Sequence, residues 1–122
     1  MNTSLINSGL YRLLNLNSEL QHFLNMIIRI VRMHFTEAGV GNFLEIFKRH
    51  QAAIRSVEGC THLELLKDLN NPLVYTTMSY WQHAQNLENY RESDLFKNVW
   101  GQVKTLFAAR TEAFSLEKVQ EL

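Results

Sequence analysis

Three features of this 122-residue chain could do chemistry: a histidine beside an apolar helical stripe, an arginine inside a β-branched strand, and a dense run of aromatic rings. His50 lies three residues past Phe47 and four before Ile54. An imidazole with an ordinary pKa of about 6.5 can accept a phenolic proton at neutral pH. Arg29 shares a strand face with Val31 and Met33. A cation held there needs either a carboxylate or an anionic ligand. The stretch SYWQHAQNLENYRESDLFKNVW, residues 79–100, holds Tyr80, Trp81, Tyr90, Phe96 and Trp100. These aromatics are expected to line one cleft, although rings at helical spacing more often simply pack. Trp81 reads as a wedge between strand and helix. Cys60, His62 and Glu64 alternate and are expected on one strand face, but that spacing is too common to assign a metal site. The sequence has no Gly-rich phosphate loop and no nucleophile elbow.

Composition narrows the classes of partner. Twelve Lys and Arg balance twelve Asp and Glu, so the net charge is zero. Nucleic acid is an unlikely fit for such a surface, because phosphate binding calls for clustered excess cations. No apolar run approaches the roughly 18 residues of a membrane span. The lone Cys60 cannot form an internal disulfide, and the basic start of a secretory signal is lacking, so a reducing, cytoplasmic setting is expected.

The elements that must position these residues follow from periodicity. Residues 1–25, rich in Leu and Asn, read as an N-terminal extension, either a short amphipathic helix or a stretch upstream of a native start at Met26. The domain proper spans residues 26–122. MIIRIVRMHF predicts a first strand with apolar residues on both faces. Thr36 reads as a cap for a helix over 40–57, which Gly59 ends. CTHLELLKDL and LVYTTMSYW predict a hairpin around Asn70-Asn71-Pro72. Two helices follow, over 83–92 and from a Ser93 or Asp94 cap onward. AFSLEKVQ predicts the last strand. The order is an α+β, ferredoxin-like β-α-β-β-α-β fold. Its second sheet face, carrying Ile28 and Ile30, would be wet in a monomer. A homodimer packed sheet to sheet is the expected remedy.

MIIRIVRMHF, GCTHLELLKD, SYW and YRESDLFKNVW together resemble the antibiotic biosynthesis monooxygenase family over residues 26–120. That resemblance implies a dimeric α+β barrel with a pocket between sheet and helices in each subunit. It implies oxygenation of a small aromatic or quinol-type molecule by dioxygen, with no cofactor and no metal. The pocket must then supply an apolar cavity, a proton acceptor and hydrogen bonds to the substrate anion. His50 and Tyr90 are the expected catalytic residues, and Arg29, Val31, Phe47, Phe96 and Trp100 the expected substrate-binding ones. The family's haem-degrading branch uses an Asn, a Trp and a His where this chain has Val31, Tyr90 and Trp100, so that chemistry is not expected. A dimeric small-molecule binder without catalysis is the alternative reading.

Overall fold

The computed structural model describes residues 26–122. The expected extension, residues 1–25, lies outside the described residues. Strand β1 runs Ile27–His34, helix α1 Gly39–Arg55, β2 Cys60–Lys67 and β3 Val74–Trp81. Helices α2, Ala84–Arg91, and α3, Asp94–Val103, come next, with a 3-10 turn at Lys104–Leu106 and strand β4 at Glu112–Glu117. The four strands form one antiparallel sheet in the order β2-β3-β1-β4. This is the expected ferredoxin-like α+β arrangement, with α2 and α3 sharing the second crossover.

Local chemistry explains most boundaries. Ser93 caps α3, its hydroxyl accepting from the Phe96 N–H at 3.2 Å. Thr36 stands two residues before the N-cap Ala38: its Oγ1 accepts from the N–H of Gly39, the first helical residue, at 3.0 Å. Helix α1 stops at Arg55 rather than near Val57, because Ser56 folds back and its hydroxyl donates to the Ala52 carbonyl at 2.8 Å. Gly59 then turns the chain into β2 with φ of +86°. Any Cβ there would also collide with Asn86 of α2, so glycine is required by conformation and by space together. The β2–β3 hairpin is closed by Asp68, whose carboxylate accepts from the N–H groups of Asn70 and Asn71.

The helices cover one sheet face and build two clusters there. Met33, Phe35, Phe43, Tyr75 and Val103 form one. Ile27, Cys60, Trp81 and Leu87 form the other. Phe35 stacks on Phe43 with ring centroids 4.2 Å apart, and Trp81 is fully buried. Among the described residues no helix covers the second face. Register places Leu116, Ile28 and Tyr80 in one row across it and Phe114, Ile30 and Met78 in the next.

Two expectations about faces are corrected. Cys60, His62 and Glu64 do not share a side. A bulge between Cys60 and His62 shifts the register, so Cys60 pairs with Trp81 and joins the covered core, while His62 pairs with Tyr80 on the open face. Tyr80 likewise leaves the aromatic cleft. It precedes Trp81 in a regular strand and must point the other way, where its ring meets His62 at 4.7 Å.

Candidate functional site

A cavity of about 380 Å³ lies between the two core clusters, under the helices. That is within the size range of small-molecule sites. Strand β1 contributes Arg29, Val31 and Met33 to its wall, β3 contributes Thr77, Ser79 and Trp81, β4 contributes Ala113, and Thr111 comes from just before β4. Phe47 and Ile54 project from α1, Leu87, Tyr90 and Arg91 from α2, and Phe96, Val99 and Trp100 from α3. Period-two alternation on the strands and three-to-four spacing on the helices aim all of these at one volume.

The aromatic rings form a continuous wall. Trp81 stacks on Tyr90 at 5.1 Å, Tyr90 meets Phe96 edge-on at 5.3 Å, and Phe96 lies nearly parallel to Trp100 at 6.0 Å. Trp100 continues to Phe107 at 5.4 Å, and Phe107 to Phe35. Each contact fixes the next ring's orientation, so the wall is held rigid without ligand. Trp81 is pinned further by its indole N–H, which donates to Ser79 Oγ at 2.9 Å.

The polar groups are few. Arg29 donates to Ser115 Oγ at 2.9 Å, and among the described residues no carboxylate pairs with it. Burial lowers its pKa, the neighbouring Arg91 charge adds to that, and Glu88 opposes it. Arg91 pairs with Glu88 at 2.9 Å and is 44% exposed, so the cavity reaches solvent on that side. Tyr90 is pushed up to about 12, first by burial and then by Cys60, so its hydroxyl stays protonated and can donate. Thr111 Oγ1 is buried in the wall with no hydrogen-bond partner.

The structure therefore brings Arg29, Val31, Phe47, Tyr90, Phe96 and Trp100 to one cavity. His50 is half-buried on α1 and is not among the lining residues. Among the described residues, neither a histidine nor a carboxylate lines the wall. Arg91, Ser79 and Thr111 were not singled out from sequence. For Arg91 a signal existed, since it stands four residues after the buried Leu87 and so shares its helix face. Among the described residues, no three His, Cys, Asp or Glu side chains come together as metal ligands.

Residues 26–100 match the family model for antibiotic biosynthesis monooxygenase. The chain belongs to that family. Solved structures agree on its fold. A conserved protein from Methanosarcina mazei Go1 superposes with a TM-score of 0.77 at 20% identity, covering 81% of this chain and 98% of that one. SnoaB, a cofactor-independent oxygenase from Streptomyces nogalater, gives 0.71 at 16% identity, with 80% and 97% covered. A Caulobacter crescentus CB15 protein whose name refers to the same family gives 0.74 at 19%, with 85% and 99% covered. Among curated proteins, none matches this chain. No helix of the described residues is long and apolar enough to cross a membrane.

Proposed function

We propose that this family member is a cofactor-independent monooxygenase that oxidises a small, electron-rich aromatic of quinol type with dioxygen, as a cytoplasmic homodimer. The observation that carries the reading is the aromatic-walled cavity with two guanidinium groups and a protonated tyrosine at its polar end. In such a reaction the substrate is the reductant. A phenol loses its proton, and the electron-rich phenolate passes an electron to dioxygen. The two recombine at a ring carbon bearing hydrogen. One oxygen atom stays on the ring as a quinone carbonyl, and the other leaves as water with two substrate hydrogens. The ring gives up four electrons in all, which balances the reduction of dioxygen.

The wall residues bear on the first step. Among the described residues no histidine or carboxylate lines the cavity, and its guanidinium groups favour deprotonation by charge. A cation about 4 Å from the developing oxyanion, at an effective dielectric near 20, stabilises it by about 4 kcal/mol, or roughly three pKa units. Arg29 supplies that charge, Glu88 tempers Arg91, and the Tyr90 hydroxyl donates to the same oxygen. The proton departs to water on the exposed Arg91 side. Val31, Phe47, Phe96 and Trp100 hold the ring plane and exclude bulk water.

The homodimer rests on the uncovered face. Ile28 and Ile30 are half-buried there, and Phe114 and Leu116 are 50% and 48% exposed. A contiguous apolar patch of this kind needs a cover, and a second copy offers the same rows about a twofold axis. Oxygen uptake with a panel of hydroquinones and naphthols tests the activity. Uptake above the uncatalysed rate, lowered by Arg29→Gln, is expected, and none with intact protein would refute it. The missing wall base also suits a dimeric binder without catalysis, which would bind the same molecules and consume no oxygen.

A further inference from the structure

Arg29 is an unusual residue for a cavity wall. It is held partly out of water on the covered sheet face, and its side-chain partner is the neutral hydroxyl of Ser115. A guanidinium has five N–H donors and strongly favours a planar oxyanion, bound through two parallel hydrogen bonds. Arg91 adds a second cation to the same wall, and among the described residues no carboxylate lines the cavity. Glu88, paired with Arg91, is the neighbouring anion, and it lies outside the lining.

The opposite end of the cavity holds a second unsatisfied group. Thr111 Oγ1 is buried there without a partner. Ser115, which anchors Arg29, stands four residues further along the same stretch of chain. At about 3.4 Å per extended residue this separates the two polar ends by roughly 14 Å. Between them run the rings of Tyr90, Phe96 and Trp100. The complementary ligand has a fused-ring body, a permanent anion at one end and a hydrogen-bonding group at the other.

We infer that the cavity selects aromatic carboxylates, the carboxylate seated on Arg29 with help from Arg91 and the far end of the ring system reaching Thr111. The inference rests on the cavity being the aromatic-ligand site of the proposed function and not on the dioxygen chemistry, and for an acid ligand it gives Arg29 to the carboxylate in place of the phenolate. A carboxylate is favoured over a phenolate as the resident anion because it is ionised at neutral pH without any base in the wall.

Calorimetric titration at low salt with 2-naphthoate, its neutral isostere 2-naphthamide, and 2-naphthol tests this without reading activity. Naphthoate should bind at least about tenfold more tightly than the amide, the usual margin for a charge-assisted hydrogen bond. Arg29→Gln, which can still bond to Ser115, should bring the two ligands within about threefold of each other. Glu88→Gln removes the anion beside Arg91 and should tighten naphthoate alone, a gain that misfolding cannot mimic. 6-Hydroxy-2-naphthoate should bind more tightly than naphthoate, and Thr111→Val should remove that increment. Equal binding of acid and amide by the wild-type protein, or an unchanged preference in Arg29→Gln, would overturn the inference while leaving the oxygenase reading standing. Naphthol bound more tightly than naphthoate would assign the cationic end to the phenolate instead and overturn it too. If none of the ligands binds, the inference and the cavity's role fall together.

Discussion

The two faces of the sheet are built from similar residues and do opposite things. The covered face carries Val31, Met33, Tyr75 and Trp81, and the helices close over it while leaving a ligand-sized volume. The open face carries Ile28, Ile30, Met78, Phe114 and Leu116 and has no cover among the described residues. Their charges differ more than their apolar content. On the open side Arg32 pairs with Asp68 at 3.6 Å and His62 with Glu64 at 3.4 Å. On the covered side Arg29 has, among the described residues, a hydroxyl and no carboxylate. Apolar content thus does not by itself mark the face that holds the cavity. What marks the site is a cation without its anion, kept beside an unfilled volume.

The comparison breaks most visibly in the covered core. Phe35 is 1% exposed and touches Phe43, Tyr75 and Phe107. Phe35→Ala should cost about 3–5 kcal/mol, from lost burial and the cavity left behind. The loss should show as a lower urea midpoint, displaced from wild type by the same amount at every protein concentration.

A substitution on the open face should behave the other way. Ile30 pairs across the sheet with Met78 and Phe114 at the centre of the patch. Ile30→Glu should leave the monomer folded, since the residue contributes to neither core cluster. A buried, unpaired carboxylate at a sheet-to-sheet contact should weaken association by roughly 100-fold, at about 3 kcal/mol. Light scattering should report a dimer for the wild-type chain and a monomer for the variant. A wild-type monomer at micromolar concentration would remove the homodimer.

Between these lies Tyr90, a titrating group on the cavity wall. Its folded pKa, about 12, stands above an unfolded value near 10. The fold therefore favours the neutral phenol, and the associated stability is fully present below pH 10. As pH rises from 10 towards 12 the unfolded chain ionises first, and on the order of 2 kcal/mol is lost. Denaturation midpoints at pH 9 and 11.5 should show that loss in the wild-type chain and a smaller one in Tyr90→Phe.

Much of this architecture is legible in the residues because the signals are local. Alternation in residues 27–34, the Ser93 cap, the Gly59 turn and the Asn70-Asn71-Pro72 hairpin each follow from short-range geometry. Tyr80 is a different case, since strict alternation with Trp81 already places it on the other face. Cys60 could not be placed by such counting, because a single extra residue at the bulge inverts its direction and leaves no mark in the pattern. Thr111 was silent for a similar reason: it stands before a short edge strand, and only pairing with β1 carries it to the cavity. His50 shows the limit of helical spacing. It sits between Phe47 and Ile54 in sequence, and yet both of those line the wall and it does not.

The smallest expected effect separates the two arginines of β1. Arg32 lies three residues after Arg29, so the odd spacing sends it to the opposite face. There it is 40% exposed, and its partner Asp68 is 31% exposed. At 3.6 Å and in contact with water, such a pair contributes between zero and about 1 kcal/mol. Asp68 also loses little if the arginine goes, because its other oxygen holds the hairpin through Asn70 and Asn71. Arg32→Gln should therefore move the urea midpoint slightly or not at all, and should leave naphthoate affinity within about twofold of wild type. Arg29→Gln makes the same chemical change on the other side of the sheet, where the cavity lies, and should bring acid and amide within about threefold of each other. If the two variants altered binding equally, long-range charge rather than the cavity's own guanidinium would be steering the ligand, and raising the salt to shorten the Debye length to about 3 Å would erase both effects together.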